Sequence, residues 1–146
     1  MSRKDPYLDK LSCITRLVKE WEIHKSLVIA YEFDNTVAHP SNDEQFAYPV
    51  LIDALREAEA LGLHLLVFTG RQEDQINNVV TYLNTNRIPF HYVNKSPEYI
   101  KFESQKPFYN LLLDSRAGLA EGLSHLQGVI AHIRSVKSTR YAQQEM

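Results

Sequence analysis

The chain has a single cysteine, Cys13, in 146 residues, so no intrachain disulfide can form and a reducing compartment is expected. Glycine is scarce at five residues, and no Gly-rich turn follows the first apolar run, which excludes the usual dinucleotide-binding loop. No apolar run approaches the ~20 residues of a membrane helix. Met1 to Lys10 is polar, so no signal peptide is visible and a cytoplasmic location is the expectation. An excess of one charge is also missing: 16 Lys and Arg against 18 Asp and Glu give a formal net charge of -2. A general nucleic-acid binder usually carries a basic excess, so that class is disfavoured. Arg134, Lys137 and Arg140 are a local basic group, read as the solvated end of a helix. The six histidines form no metal-binding pattern; His125 and His132 share a helix face, as surface residues commonly do.

What is present is a hydrophobic content of 44%, enough for one compact α/β core. Leu8, Leu11, Ile14, Leu17, Val18 and Trp21 recur at helical spacing and predict an amphipathic helix within residues 1–24. Its apolar stripe can pack on the core or pair with a second copy as a homo-oligomer; packing within the monomer is the expectation. A strand is expected at Leu27 to Tyr31 and a helix at Pro49 to Leu61, with proline in its first turn and Gly62 past its end. Further strands are expected at Leu63 to Phe68, Phe90 to Val93 and Leu111 to Leu113. Helices are expected at Gln72 to Asn84 and from about Gly118 to Arg134, with a short helix or turn in residues 97–105. The main domain is then residues 25–136, and the polar stretch from Ser135, including a tail of residues 137–146, is expected to fray.

Three of these strands end in residues that carry chemistry. The run Val28-Ile-Ala-Tyr breaks into Glu32-Phe-Asp34-Asn-Thr36, two carboxylates two residues apart, an oxygen-rich pair suited to a hard cation such as Mg²⁺. Phe68 is followed by Thr69-Gly70-Arg71, and Leu113 by Asp114-Ser115-Arg116. Short apolar strands separated by helices predict a buried parallel sheet, and the residues beyond its carboxyl ends gather in one crevice. Plain readings exist for each residue alone: Lys106 as a solvated lysine, Thr69 as a helix N-cap, Arg71 as a surface ion-pair partner.

In this order the motifs resemble those of the haloacid dehalogenase-like superfamily of phosphohydrolases. Glu32-Phe-Asp34-Asn-Thr36 is similar to its Asp-x-Asp-x-Thr motif, and Thr69 matches the Ser or Thr that ends its second strand. Lys106 in Gln105-Lys-Pro-Phe-Tyr-Asn110 matches its lysine, and Asp114-Ser115 its terminal acidic pair. The stretch from Lys106 to Gly118 is similar to small capless members, including phosphatase segments of some polynucleotide repair proteins. The resemblance covers Leu27 to Ile133 and implies an α/β three-layer sandwich with a mostly parallel, Rossmann-type central sheet and no cap domain. It implies a Mg²⁺-dependent phosphomonoesterase acting on an accessible phosphate, whether a nucleotide, a nucleic-acid end or another small phosphate. Glu32 would be the nucleophile, Asp34 the acid and base, Thr69 and Lys106 the groups that hold and neutralise the phosphoryl oxygens. Thr36, Gly70 and Arg71 would contact substrate, and Glu32, Asp34 and Asp114 would hold Mg²⁺. The loop residues His39, Asn42, Asp43 and Glu44 would border an open site.

The chain departs from the family at two positions. Glu32 replaces the nucleophilic aspartate, and one extra methylene can misplace the attacking oxygen by about 1 Å, a shift worth on the order of 10²-fold in rate. Ser115 replaces the second acid of the last motif and brings no charge to the metal. The alternative reading is therefore a catalytically degenerate relative that binds metal or phosphate, or regulates a partner.

Overall fold

Strand β1, Val28–Glu32, lies inside the sheet because its residues Val28 to Tyr31 are all buried and leave no solvent face. It pairs in parallel with β2, His64–Phe68, in the register Val28 to His64 through Glu32 to Phe68. Strand β3, Tyr92–Val93, pairs with β2, and β4, Leu111–Leu113, pairs with β1 on its other side. The order β3-β2-β1-β4 is all parallel, so the chain reverses its direction of travel across the sheet between β3 and β4. That reversal opens a crevice beyond the carboxyl ends of β1 and β4, where such sheets bind ligands. The computed structural model describes residues 5–38, 48–101 and 104–144. His39, Asn42, Asp43 and Glu44 lie outside them.

Among the described residues four helices accompany the strands: α1, Lys10–His24; α2, Pro49–Ala60; α3, Ile76–Thr85; and α4, Leu119–Gln144. The first two start or stop for local reasons. The Asp9 carboxylate accepts from the backbone N–H of Ser12 at 3.0 Å and caps α1, and Lys25 ends it in a left-handed conformation. Pro49 opens α2, and Gly62 at φ +84° turns the chain into β2. A 3₁₀ turn, Glu73–Gln75, precedes α3, which starts later than the expected Gln72.

Alternation along the strands divides the core. Ile29, Tyr31, Leu65, Val67, Leu111 and Leu113 share one buried cluster with residues of all four helices. Val28, Ala30 and Leu66 face the other way and are covered by Phe68, Tyr92, Phe108, Tyr109 and Leu112. The chain is thus an α/β fold with a small all-parallel sheet flanked by helices, consistent with the expected Rossmann-like three-layer sandwich. On the second face the cover includes aromatic side chains from the connection between β3 and β4. The connections divide in the same way: β1 to β2 to β3 steps one way, and the return to β4 passes over the opposite face.

Two details differ from expectation, one in each terminal helix. The N-terminal helix packs within the monomer through Leu17, Val18 and Trp21, which belong to the large cluster. Leu8 and Leu11, expected in its apolar stripe, are 87% and 68% exposed, and Cys13 is buried instead. The last helix continues past Arg134 to Gln144. Its extension holds good helix formers, Val136 packs against the core, and Lys137 donates to the carbonyl of Leu61 at 3.2 Å.

Candidate functional site at the strand ends

The residue that ends β1 is Glu32, half-buried, and the chain then turns at once. Asn35 adopts φ +62°, a left-handed conformation that asparagine tolerates better than most residues. The turn closes through Ala38 N–H to Phe33 O at 3.0 Å and Asn35 N–H to Ala38 O at 2.7 Å. Phe33 N–H donates to Phe68 O at 2.8 Å, which ties this turn to the end of β2. Asp34 and Thr69, 35 residues apart, are thereby brought together: the Thr69 hydroxyl donates to Asp34 Oδ2 at 3.0 Å.

The other oxygen of Asp34 is also engaged. Arg71 donates to Oδ1 from Nε at 3.0 Å and from Nη2 at 2.9 Å, and its guanidinium lies over the Phe33 ring at 5.1 Å. Arg71 is therefore joined to the site and is not an isolated surface cation. Thr69 does not cap a helix; its hydroxyl accepts from Arg71 N–H at 3.2 Å, and Gln75 is the N-cap of α3. Gly70 stands between them in open space, where an added Cβ would meet nothing within 4 Å.

At the end of β4, Asp114 Oδ1 accepts from Arg116 N–H at 2.8 Å. Thr36 is 1% exposed and its hydroxyl bonds Ser115 twice, accepting from Ser115 N–H at 3.0 Å and donating to Ser115 Oγ at 3.3 Å. Thr36 thus joins the β1 turn to the end of β4. Glu32 lies among these groups: burial raises its pKa first, then the charges of Asp114 and Asp34, against an opposing pull from Arg116. Glu32 thus senses both neighbouring carboxylates.

Among the described residues no three His, Cys, Asp or Glu side chains converge as a ready-made metal cage. The Asp34 carboxylate is taken by Arg71 and Thr69. Mg²⁺ is usually held by one or two carboxylates together with waters and substrate phosphate. Glu32 and Asp114 are the carboxylates that would supply that lighter set. Lys106 stands beside an aromatic ring. Its Nζ sits over the Tyr109 ring at 5.0 Å, and Tyr109 in turn packs edge-on to Phe68 at 5.8 Å. The cation that Glu32 senses is Arg116.

Two contributors escape sequence reasoning. Arg116 follows Asp114 by two residues and could have been read as part of the motif. Asn94 holds Thr69 from both sides, accepting from its N–H at 2.9 Å and donating to its carbonyl at 3.0 Å. At φ +54° it continues the β2 to β3 pairing with a side chain once the strand has ended. Its sequence signal is an asparagine directly after a short strand, a position that favours left-handed turns.

No protein-family model and no curated protein matches the chain. Among solved structures, a conserved protein from Bacteroides thetaiotaomicron is similar with a TM-score of 0.53 at 21% identity, over 64% of this chain and 78% of that one. A likeness at that identity concerns the fold.

Proposed function

We propose that this chain is a Mg²⁺-dependent phosphomonoesterase of the haloacid dehalogenase-like kind, acting on an accessible phosphate. The observation that supports it is the convergence of Glu32, Asp34, Thr69 and Asp114 at the carboxyl ends of three parallel strands, with Thr69 3.0 Å from Asp34. In this reading a Glu32 carboxylate oxygen attacks phosphorus and the bond to the leaving oxygen breaks. Asp34 gives that oxygen its proton, then takes one from the water that cleaves the acyl-phosphate and restores Glu32. Asp34 can exchange protons only if Arg71 lets go, so Arg71 turns from the carboxylate to the phosphoryl oxygens. Thr69 donates to those oxygens, and Arg116 offsets charge beside Glu32. Mg²⁺, held by Glu32 and Asp114 with the Asp34 carbonyl, would supply charge stabilisation to the phosphoryl group.

A second reading is favoured by specific contacts. Asp34 is closed by Arg71, Ser115 is bonded to Thr36, and Lys106 rests on Tyr109. These fit a degenerate relative that binds metal or phosphate without turnover. Mg²⁺-dependent hydrolysis of phenyl phosphate separates the two. The phosphatase reading expects turnover in the native chain that is lost in Asp34→Asn and rises on the order of 10²-fold in Glu32→Asp. Silence in the native chain and in Glu32→Asp, with inorganic phosphate still bound, establishes the binding module.

A further inference from the structure

A cleft of about 570 Å³ opens beside the site, lined by Arg71, Glu73, Ile76, Asn77, Val93 and Asn94. Its volume falls within the ~300–1,000 Å³ of small-molecule sites. Two of its walls belong to the machinery already described: Arg71 binds Asp34 at 2.9 Å, and Asn94 clamps Thr69. A phosphate held by Thr69 and Arg71 would therefore carry its organic group into this space.

The rest of the lining restricts that group. Ile76 and Val93 present aliphatic surface on which a flat ring can lie, yet they are too few for an alkyl tail. The amide of Asn77, on the exposed side of α3, offers a donor and an acceptor to a ring edge. Glu73 supplies a carboxylate that accepts hydrogen bonds and repels a further anion. A heteroaromatic ring with polar edges, joined to a single phosphate, satisfies all three. We propose that this cleft is a nucleoside-binding subsite and that the substrate of the strand-end site is a nucleoside monophosphate. The position of the phosphate rests on the phosphomonoesterase reading; the selection of the ring rests on the cleft alone.

Calorimetric titration of the full chain with Mg²⁺ tests it, using adenosine, guanosine, cytidine and uridine monophosphates, adenosine diphosphate and inorganic phosphate. At least one monophosphate should bind roughly tenfold or more tighter than inorganic phosphate, the margin of one or two good polar contacts and a ring face. Adenosine diphosphate should bind more weakly than the monophosphate, and Glu73→Gln should narrow that difference. Asn77→Leu, at an exposed position, should remove most of the advantage over inorganic phosphate while leaving phosphate itself bound as before. Equal binding of every monophosphate and inorganic phosphate, or an unchanged ratio in Asn77→Leu, overturns the subsite. Phenyl phosphate turnover, read in parallel, keeps the two proposals apart. Nucleotide preference without hydrolysis of any ester retains the cleft and removes the phosphatase. Hydrolysis without nucleotide preference does the reverse.

Discussion

Glu32 is the residue on which the site's chemistry and its stability meet. Its folded pKa lies above the ordinary 4.5, through burial and then through Asp114 and Asp34. The folded state therefore holds this proton more tightly than the unfolded chain, and the ionised form is a burden at neutral pH. Glu32→Gln should raise the melting temperature near neutral pH in a chelator. The gain should shrink as pH falls through the raised pKa and vanish near 4.5. Mg²⁺ should stabilise the native chain more than this variant, which thermal melts with and without the ion will show. His64 has the opposite sign. Burial and then the neighbouring His91 lower its pKa below 6.5, with the rings of Tyr92 and Tyr99 at 6.3 and 5.0 Å and Glu59 paired to His91. The unfolded chain takes this proton first, so stability is lost as pH falls below 6.5, and His64→Gln should flatten that part of the pH profile. Arg71 separates function from stability. Its pair with Asp34 is about one-third exposed on each side, at 39% and 35%, and such pairs contribute about 0–1 kcal/mol. Arg71→Met should therefore unfold at nearly the native denaturant concentration while losing phosphate binding.

Among the elements, α1 and α4 cross closely where Gly128 meets Ile14. A Cβ on Gly128 would lie 2.6 Å from Ile14 Cδ1 and 3.2 Å from its Cγ1. Alanine inside a helix is favoured over glycine by about 1 kcal/mol, but overpacking costs about 1–3 kcal/mol. The steric effect wins, because Ile14 is β-branched and cannot swing both atoms away. Gly128→Ala should destabilise the chain by about 1 kcal/mol. Adding Ile14→Val, which removes Cδ1, should recover that loss, and a double-mutant cycle in urea measures the coupling. The helical periodicity of α1 was legible in the sequence, but which residues it buries was not. Leu8 precedes the Asp9 cap and Leu11 lies in the first turn, and both remain exposed; Cys13 reaches the core.

For the molecule as a whole, α1 closes the core. Glu20 accepts from Asn110 Nδ2 at 2.9 Å, and Asn110 itself accepts from Val28 N–H at 2.7 Å and donates its own N–H to Val28 O at 2.8 Å. One helix, the central strand and the start of β4 are thus tied at a single asparagine. Trp21 is 5% exposed within that arrangement. Trp21→Ala should cost about 3–5 kcal/mol, seen as a fall in the urea midpoint, and a chain lacking residues 1–24 should fail to give a cooperative transition. Failure of that truncation to matter would return α1 to the status of an accessory segment. No helix among the described residues is long and apolar enough to cross a membrane.

The sequence by itself determined the strand and helix order, because a buried parallel strand must be apolar throughout and its end must turn polar at once. It also marked Glu32, Asp34, Thr69 and Asp114 as strand-end residues, and they stand at the carboxyl ends of β1, β2 and β4. Only the tertiary structure decided how their side chains are spent. Arg71 takes Asp34, Asn94 holds Thr69, and Lys106 settles on Tyr109. Such pairings join segments 25 to 37 residues apart at Asn94 and Arg71. They depend on strand order and on which face the return connection covers, which local pattern does not encode.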